Sequence, residues 1–368
     1  WASGSSMVVR GDTIVIADRD NGDVVFMDRK SMTVTKTLHT GGGPEQLVMD
    51  ADGAVYVTMR HGGEVVRIKD GAVQHTTKVG TEPIGIAMSP GQEFLFVTIA
   101  AENKLAVIDA GSGNVLHTQV IGERPRTVSV ANGVGTNVRV VVGFQNPYSS
   151  SSSAFTKSTT GAATLEYDNA KVFSTKTNKT AKFSFNTTSA RAISLRASNP
   201  GHGPDINSTH KVSQGRTGLK SVRVAASAVN PETGEVVIAH MLAAPGDEKT
   251  TQEQAFGKKK SSSSNSYGSG TSENAKCVST PIRPMEPTVS TVGDTAVKSG
   301  RAQNTEVEFP VMHMQSGLSM LAVFDQPSAI SFHPTSTLAF VPSMGTDNVL
   351  VMNTADGDMM KNPLAEIR

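Results

Sequence analysis

The sequence is poor in the residues that usually mark a cofactor site or a membrane segment. Its single cysteine, Cys277, excludes an internal disulfide, a cysteine-rich zinc site and an ordinary CxxCH haem attachment. Trp1 is the only tryptophan and aromatic residues make up 5%, which argues against a sugar-binding surface built from stacking rings. No run approaches 18 consecutive apolar residues, so we expect no membrane-spanning segment.

Excess charge is also lacking. Lys+Arg total 34 and Asp+Glu 33, and a net charge of +1 gives no global field that would favour nucleic acid or an anionic membrane. Hydrophobic residues at 37% and charged residues at 18% are both low, whereas 34 glycines are many for 368 residues. The composition favours a Gly-rich β protein. The start at Trp1 rather than methionine leads us to expect that a leader or another upstream segment has been removed.

What the sequence does contain is an internal repeat. Three G-x-x-P segments end at Pro44, Pro83 and Pro125, separated by 39 and 42 residues. Each proline is followed by a short apolar run, a turn such as Asp52-Gly53, and further runs rich in β-branched and aromatic residues. Such runs, cut by Asn-Gly and Asp-Gly, are typical of strands joined by hairpins.

The same order of runs and turns recurs near both ends, in residues 13–28 and 327–353. Four short antiparallel strands in about 42 residues describe one blade of a propeller. We therefore predict an all-β fold, a seven-bladed β-propeller of four-stranded antiparallel blades that forms a single domain over residues 1–368. The seven predicted units span residues 6–40, 44–80, 83–122, 125–175, 176–220, 222–325 and 327–368.

Three of these repeats carry a family resemblance. The segments PEQLVMDADGAVYVTMRHGGEVVRI, PIGIAMSPGQEFLFVTIAAENKLAVID and PSAISFHPTSTLAFVPSMGTDNVLVMN resemble the YVTN-type β-propeller repeats of bacterial and archaeal surface and periplasmic proteins. The resemblance covers about two-thirds of the chain, and residues 145–225 depart from the pattern. It implies an extracytoplasmic location, periplasmic or at the cell surface, and an association with c-type cytochromes or redox enzyme complexes.

Two insertions explain why the chain is longer than seven blades require. We place them at about residues 145–162 and 243–318, each after the second strand of its blade, and a third extended loop at Ser198–Asp205. Loops between second and third strands open on the same side of a propeller as the connections between blades. We call this side the top face. Long loops in a compact domain are commonly functional, so we expect an asymmetric binding face there.

Charged and imidazole side chains mark the same face, where second strands end and new blades begin. We expect them to ring the top of the central channel, where propellers commonly bind ligands or partners. These candidate partner- or ligand-binding residues are Arg19, Glu45, Arg60, His61, Glu82, Arg124, Arg126 and His240.

No catalytic or metal site is predicted. The segment Asp18–Asp23 looks like a calcium loop, but its glycine falls at the fifth position rather than the sixth, and a hairpin turn is the favoured interpretation. Nine histidines show no metal-ligand spacing, and Rossmann, P-loop, G-x-S-x-G and H-E-x-x-H motifs are absent.

The favoured hypothesis is an exported scaffold or partner-binding subunit without catalytic residues of its own. Through the resemblance, its partners are expected to be other protein subunits, a c-type cytochrome among them, with haem held on the partner and no cofactor bound covalently by this chain. Two alternatives stay open. One is a subunit of a periplasmic oxidoreductase that contributes to an active site at the funnel or a subunit interface, and the other is a surface-layer or adhesion module.

Overall fold

The computed structural model describes an all-β chain. It covers residues 2–121, 124–132, 137–145, 161–168, 186–194, 220–243, 285–292, 297–301, 326–344, 347–354 and 365–367. Within these ranges the strands form six antiparallel sheets, five of four strands and one of five, in a propeller-like arrangement. No helix in the described ranges is long and apolar enough to cross a membrane.

The first three sheets follow the repeat closely. The two-residue strand β1 (Ala2–Ser3) is set apart, because it pairs with the first strand of the third sheet. The first sheet contains β2 (Met7–Arg10), β3 (Thr13–Asp18), β4 (Asp23–Asp28) and β5 (Thr33–His39). The second contains β6 (Pro44–Met49), β7 (Val55–Met59), β8 (Glu64–Lys69) and β9 (Ala72–Lys78). The third contains β10 (Pro83–Met88), β11 (Phe94–Ile99), β12 (Lys104–Asp109) and β13 (Val115–Val120).

The remaining sheets keep the same order of strands. The fourth contains β14 (Pro125–Asn132), β15 (Asn137–Phe144), β16 (Gly161–Asp168) and β17 (Asn186–Ser194). The fifth contains β18 (Lys220–Val229), β19 (Val236–Ala243), β20 (Met285–Val292) and β21 (Val297–Arg301). The sixth contains β22 (Ser331–Phe332), β23 (Leu338–Ser343), β24 (Asn348–Asn353) and β25 (Ala365–Ile367).

The predicted turns are confirmed where the chain needs a left-handed backbone. The hairpin between second and third strands ends on Gly22 (φ 71°), Gly63 (φ 69°) and Asn103 (φ 56°) in the first three sheets. Glycine reaches this conformation without steric cost and asparagine tolerates it. On the opposite side, the Asp50 carboxylate accepts the backbone N–H of Ala54 at 2.8 Å and closes the turn between β6 and β7.

Apolar clusters fill the space between successive sheets. Alternation along each strand sends one set of side chains to the preceding sheet and the other to the following sheet. The five clusters are illustrated, from the first interface to the fifth, by Val15 with Val57, Tyr56 with Val97, Phe96 with Val140, Val141 with Ile238, and Val237 with Leu350.

A buried threonine supplements this apolar contact in two sheets. The register of β10 and β11 shifts between Pro83 and Ile86, and the N–H of Gly85 in that bulge donates to Thr98 Oγ1 at 2.7 Å. The same hydroxyl donates to the carbonyl of Arg126 in the next sheet at 3.3 Å. The Thr98 hydroxyl thus gives the backbone N–H of the bulge a hydrogen-bond acceptor and also links the third sheet to the fourth.

Thr58 links the second sheet to the third in the same way. Its Oγ1 accepts the N–H of Gln46 at 3.1 Å and donates to the carbonyl of Ile84 at 2.8 Å.

Two parts of the predicted unit boundaries differ from the structure. β17, which lies in the segment assigned to a fifth blade, pairs with β16 as the outer strand of the fourth sheet. β20 and β21 lie inside the range assigned to the second insertion but pair with β19 and with each other. The sequence pattern does not indicate a strand at β20, because this segment contains Pro287 and few apolar residues. Val289 is nevertheless fully buried.

The count of seven blades stays a prediction, since the described residues account for six sheets. The single domain over residues 1–368 stays a prediction as well. Of the expected loop segments, residues 146–160, 195–219 and 244–284 lie outside the described residues.

Candidate functional site

The candidate site is built on a backbone feature that recurs in four sheets. The residue before the first proline of the sheet has a left-handed backbone, with φ of 65° at Gly43, 63° at Glu82, 47° at Arg124 and 52° at Gln326. This conformation is costly for a residue with a Cβ, and a following proline restricts the backbone further. Glu82 and Arg124 are therefore held in strained positions on the top face.

The strained backbone is fixed by one repeated hydrogen bond. The carbonyl of each of these residues accepts the N–H of the residue that follows the second strand of the same sheet. The four pairs are Arg60 to Gly43 at 2.9 Å, Ala100 to Glu82 at 3.0 Å, Gln145 to Arg124 at 2.9 Å, and Met344 to Gln326 at 3.1 Å. Because both partners lie at the top face, their side chains are brought together there.

Five of the eight predicted site residues form a continuous chain of ion pairs. We call this chain the charged arc: Arg19, Glu45, Arg60, Glu82 and Arg124. It runs from the first sheet, through the second and third, to the start of the fourth.

The distances along the arc define its geometry. Arg19 Nη1 and Arg60 Nη1 lie 3.2 and 3.8 Å from the same oxygen, Oε2 of Glu45. Arg60 Nε and Nη2 lie 3.1 and 2.5 Å from Glu82 Oε1, and Arg124 Nη2 lies 3.6 Å from Glu82 Oε2. Arg60 is thus the central link, since it contacts both carboxylates.

Exposure separates the two ends of the arc from its middle. The side chains of Glu45, Glu82 and the central Arg60 are 9%, 22% and 26% accessible, whereas those of Arg19 and Arg124 are 50% and 46% accessible. The two end arginines are therefore the exposed members of the arc. Three arginines against two glutamates leave the arc one unit positive before Asp20, which lies 3.9 Å from Arg19, is counted.

The charges outside the arc are arranged differently. They form local contacts within a sheet: two ion pairs, Glu64 Oε2 with Lys78 Nζ at 2.6 Å and Glu102 Oε2 with Lys104 Nζ at 2.9 Å, and the contact of Asp23 Oδ1 with His39 Nδ1 at 2.7 Å. Asp20, 93% accessible, also lies 3.9 Å from Arg19. A hydrogen bond from Lys104 lowers the pKa of Glu102, which keeps that carboxylate charged.

Arg126 and His61 lie beside the arc. Arg126 Nη1 donates to Gln145 Oε1 at 3.3 Å, a contact across the fourth sheet that the sequence analysis missed because Gln145 carries no charge. The His61 ring lies over Gly43, where an added Cβ would come within 2.6 Å of Nδ1. Glycine at position 43 is required for the approach of the ring, and it adopts the left-handed backbone without the strain that Glu82 and Arg124 carry.

His240 does not lie with the other candidates. It is fully buried, and burial lowers its pKa to about 3. Alternation along β19 places its side chain on the same face as Ile238, directed at the fourth sheet. Met59, Ile99 and Phe144, which end the second strands of the preceding sheets, are buried in the same way, although β19 continues beyond His240 to Ala243. His240 therefore occupies a core position.

The segment Asp18–Asp23 forms a hairpin turn, as predicted. The N–H of Asn21 donates to Asp18 Oδ1 at 3.2 Å, and the Asn21 side chain, which also donates to this carboxylate, lowers the pKa of Asp18. Among the described residues, no group of three or more His, Cys, Asp or Glu side chains is placed to hold a metal ion.

Comparison with known families and proteins places this site on a β-propeller. The family model described as "Strictosidine synthase-like, N-terminal" matches residues 34–68, from β5 to β8. No curated protein matches the sequence.

Solved structures share the architecture at low sequence identity. Hydrazine synthase from Kuenenia stuttgartiensis is similar with a TM-score of 0.59 and 13% identity, over 97% of this chain and 83% of that one. A functionally unknown protein from Desulfotomaculum acetoxidans gives 0.52 and 7%, over 97% and 80%. A catalytically inactive virginiamycin B lyase from Staphylococcus aureus with quinupristin gives 0.52 and 8%, over 96% and 82%. These likenesses support the propeller fold, and the YVTN-type assignment stays a prediction.

Proposed function

We propose that this chain is a partner-binding propeller subunit of an extracytoplasmic redox complex, with no catalytic residues of its own. Its partner docks on the top face through the charged arc. The observation that carries the proposal is the exposure of the two end arginines, since 50% of Arg19 and 46% of Arg124 are accessible beside carboxylates that are largely covered. Arginine offers several donors in a fixed plane and is enriched where protein surfaces meet.

The chemistry of the arc defines the partner. An acidic patch on another protein would complement the outward guanidinium groups and accept their remaining N–H donors. The carboxylates beneath hold the arginine side chains in place before binding, which lowers the entropy lost on association. The partner surface is therefore expected to be acidic, and the interaction is expected to weaken as salt is added.

The redox assignment rests on two likenesses. The repeats resemble those of surface and periplasmic propellers, and a solved hydrazine synthase shares the fold. Haem, on this proposal, belongs to the partner. Both likenesses concern architecture, so the assignment is tested directly by the partner that is recovered.

The test is recovery of the partner from an extract of the source organism, with mass spectrometry and a visible spectrum of the eluate. The variant Arg60→Glu with Arg124→Glu reverses two charges of the arc. The matched control reverses Lys30, which pairs with Asp12 at 2.8 Å on the opposite face.

We expect the double variant to lose the partner while Lys30→Glu retains it, with a haem absorbance in the wild-type eluate. Equal recovery by both variants would refute docking at the arc. An eluate without a redox protein would refute the redox assignment, and a chain that remains alone would favour the surface-layer alternative. Turnover that depends on the arc would favour the oxidoreductase alternative. Cell fractionation tests the extracytoplasmic location.

A further inference from the structure

The central channel contains a strand that belongs to none of the blades. β1 pairs antiparallel with β10, the first strand of the third sheet, with Ala2 opposite Met88 and Ser3 opposite Ala87. The first strands of propeller sheets line the central channel. Beyond β1, Ser5 exchanges two backbone hydrogen bonds with Leu47 of the second sheet, at 3.3 and 2.8 Å. The N-terminal segment therefore lies along the channel wall.

A serine side chain links the segment to the neighbouring fourth sheet. Ser3 Oγ lies 2.7 Å from Ser129 Oγ in the fourth sheet, and Ser129 Oγ lies 2.8 Å from Ser227 Oγ in the fifth. The line of three hydroxyls joins β1, β14 and β18. Backbone pairing on one side and hydroxyl contacts on the other hold the segment from four sheets.

The channel accepts only small side chains at the middle of this segment. A Cβ added to Gly4 would lie 2.3 Å from the carbonyl oxygen of Ile86, 2.8 Å from Ile86 Cγ2 and 2.9 Å from Gln46 Oε1. Because the nearest atom is backbone, the clash cannot be relieved by a rotamer change. Residues 2–5 are Ala-Ser-Gly-Ser, a sequence of small uncharged residues.

We propose that the central channel is a binding site for an extended peptide with small uncharged side chains, and that residues 2–5 are its intramolecular occupant. The edge of β10 that β1 covers provides the backbone hydrogen bonds, which is the chemistry of strand addition. Ser129 supplies the side-chain contact, and the close approach of Ile86 selects glycine at the centre. Displacement of the segment would open the site to the same kind of peptide from another molecule.

The test uses the full chain with Gly4→Val, which expels its own segment, and a fluorescent peptide of sequence Trp-Ala-Ser-Gly-Ser-Ser. The matched control is Ser6→Val, which introduces the same side chain at an exposed residue that follows the segment. We expect the Gly4→Val chain to bind the peptide at least about tenfold more tightly than wild type or Ser6→Val, where the tethered segment competes. The same peptide with valine in place of glycine should not bind.

A second measurement keeps the proposal testable if Gly4→Val is poorly folded. In a chain with Cys277→Ser, the pair Ser3→Cys and Ser129→Cys should form a disulfide on mild oxidation, since the two hydroxyl oxygens are 2.7 Å apart. The pair Ser6→Cys and Ser129→Cys is the control and should not. Equal cross-linking by both pairs, or equal binding of the glycine and valine peptides, would overturn the proposal.

Discussion

The second and third sheets share a buried threonine, Thr58 or Thr98, at corresponding positions, whereas the fourth and fifth keep the strand order but have other side chains there. Thr98 joins the third sheet to the fourth. The fourth sheet has Gly143 at that position, because a Cβ there would lie 2.5 Å from Val224 Cγ1. At the next position, Ile99 is a core residue and the fifth sheet has His240.

The comparison separates two requirements of the fold. The order of strands is the same in all six described sheets. The contacts between sheets are more specific: a threonine hydroxyl links the second sheet to the third and the third to the fourth, whereas the fourth sheet has a glycine at that position. Four predictions test this distinction, from the largest expected effect to the smallest.

The largest loss of stability is expected for Gly85→Ala, and Gly143→Ala is the variant with which it is compared. The new Cβ at position 85 would lie 2.6 Å from the carbonyl oxygen of Arg126, a backbone atom that cannot yield without moving the next sheet. At position 143 the nearest atoms belong to the side chains of Val224 and Thr127, which can shift. We expect a loss of about 3 kcal/mol in the free energy of unfolding at Gly85 and about half of that at Gly143.

Urea unfolding monitored by circular dichroism measures both variants. Gly111→Ala is the control, because its added Cβ would meet only Asp109 Oδ1 at 3.4 Å. A larger loss at Gly143 than at Gly85 would show that the joint between the fourth and fifth sheets is the more rigid one.

The second prediction compares two buried threonines. Thr98→Val removes the acceptor of the Gly85 N–H and the donor to the Arg126 carbonyl, so we expect a loss of roughly 2 kcal/mol. Thr127 is equally buried, but among the described residues its Oγ1 has no hydrogen-bond partner. Thr127→Val should therefore be neutral or slightly stabilising. Equal losses in thermal or urea unfolding would mean that the two joints do not differ as described.

The sequence predicted the sheets whose turns are explicit, and its failures have physical causes. β17 and β20 carry few apolar residues, so their positions depend on pairing partners that are distant in the chain. The repeat placed Arg19, Glu45, Arg60, Glu82 and Arg124 on one face, but the order of their ion pairs depends on distances between sheets. The repeat predicts a strand end at His240, but β19 continues to Ala243, and alternation with Ile238 places the imidazole in the core.

The third prediction concerns the pH dependence caused by His240. Burial holds its pKa near 3 in the folded chain, against about 6.5 when unfolded, so the unfolded state binds the extra proton between these values. Its contribution to stability is present above pH 6.5 and is lost as the pH falls. Between pH 7 and 5 the free energy of unfolding should drop by about 2 kcal/mol through this residue.

His240→Met removes the titrating group and places there the residue type found at Met59. Between pH 7 and 5, the free energy of unfolding of this variant should fall by about 2 kcal/mol less than that of wild type, measured by urea unfolding at each pH. The control His333→Gln changes an exposed histidine and should keep the wild-type profile. An unchanged profile for His240→Met would show that the imidazole is protonated, and thus solvated, in the folded chain.

The smallest effect on stability is expected at the charged arc, which joins the regular sheets to the start of the fourth. Arg60 contacts both Glu45 and Glu82, yet 26% of its side chain is accessible. Because each ion pair replaces the hydration of the two charged groups, its net contribution to the free energy of unfolding is small. We expect Arg60→Met to cost less than about 1 kcal/mol at low salt and almost nothing at about 1 M salt, by urea unfolding. Lys30→Met on the opposite face should cost no more. A loss of stability that persists at high salt would show that the arc stabilises the contact between sheets, as Thr98 does. A small, salt-sensitive loss combined with abolished partner binding would instead mean that its charges serve recognition.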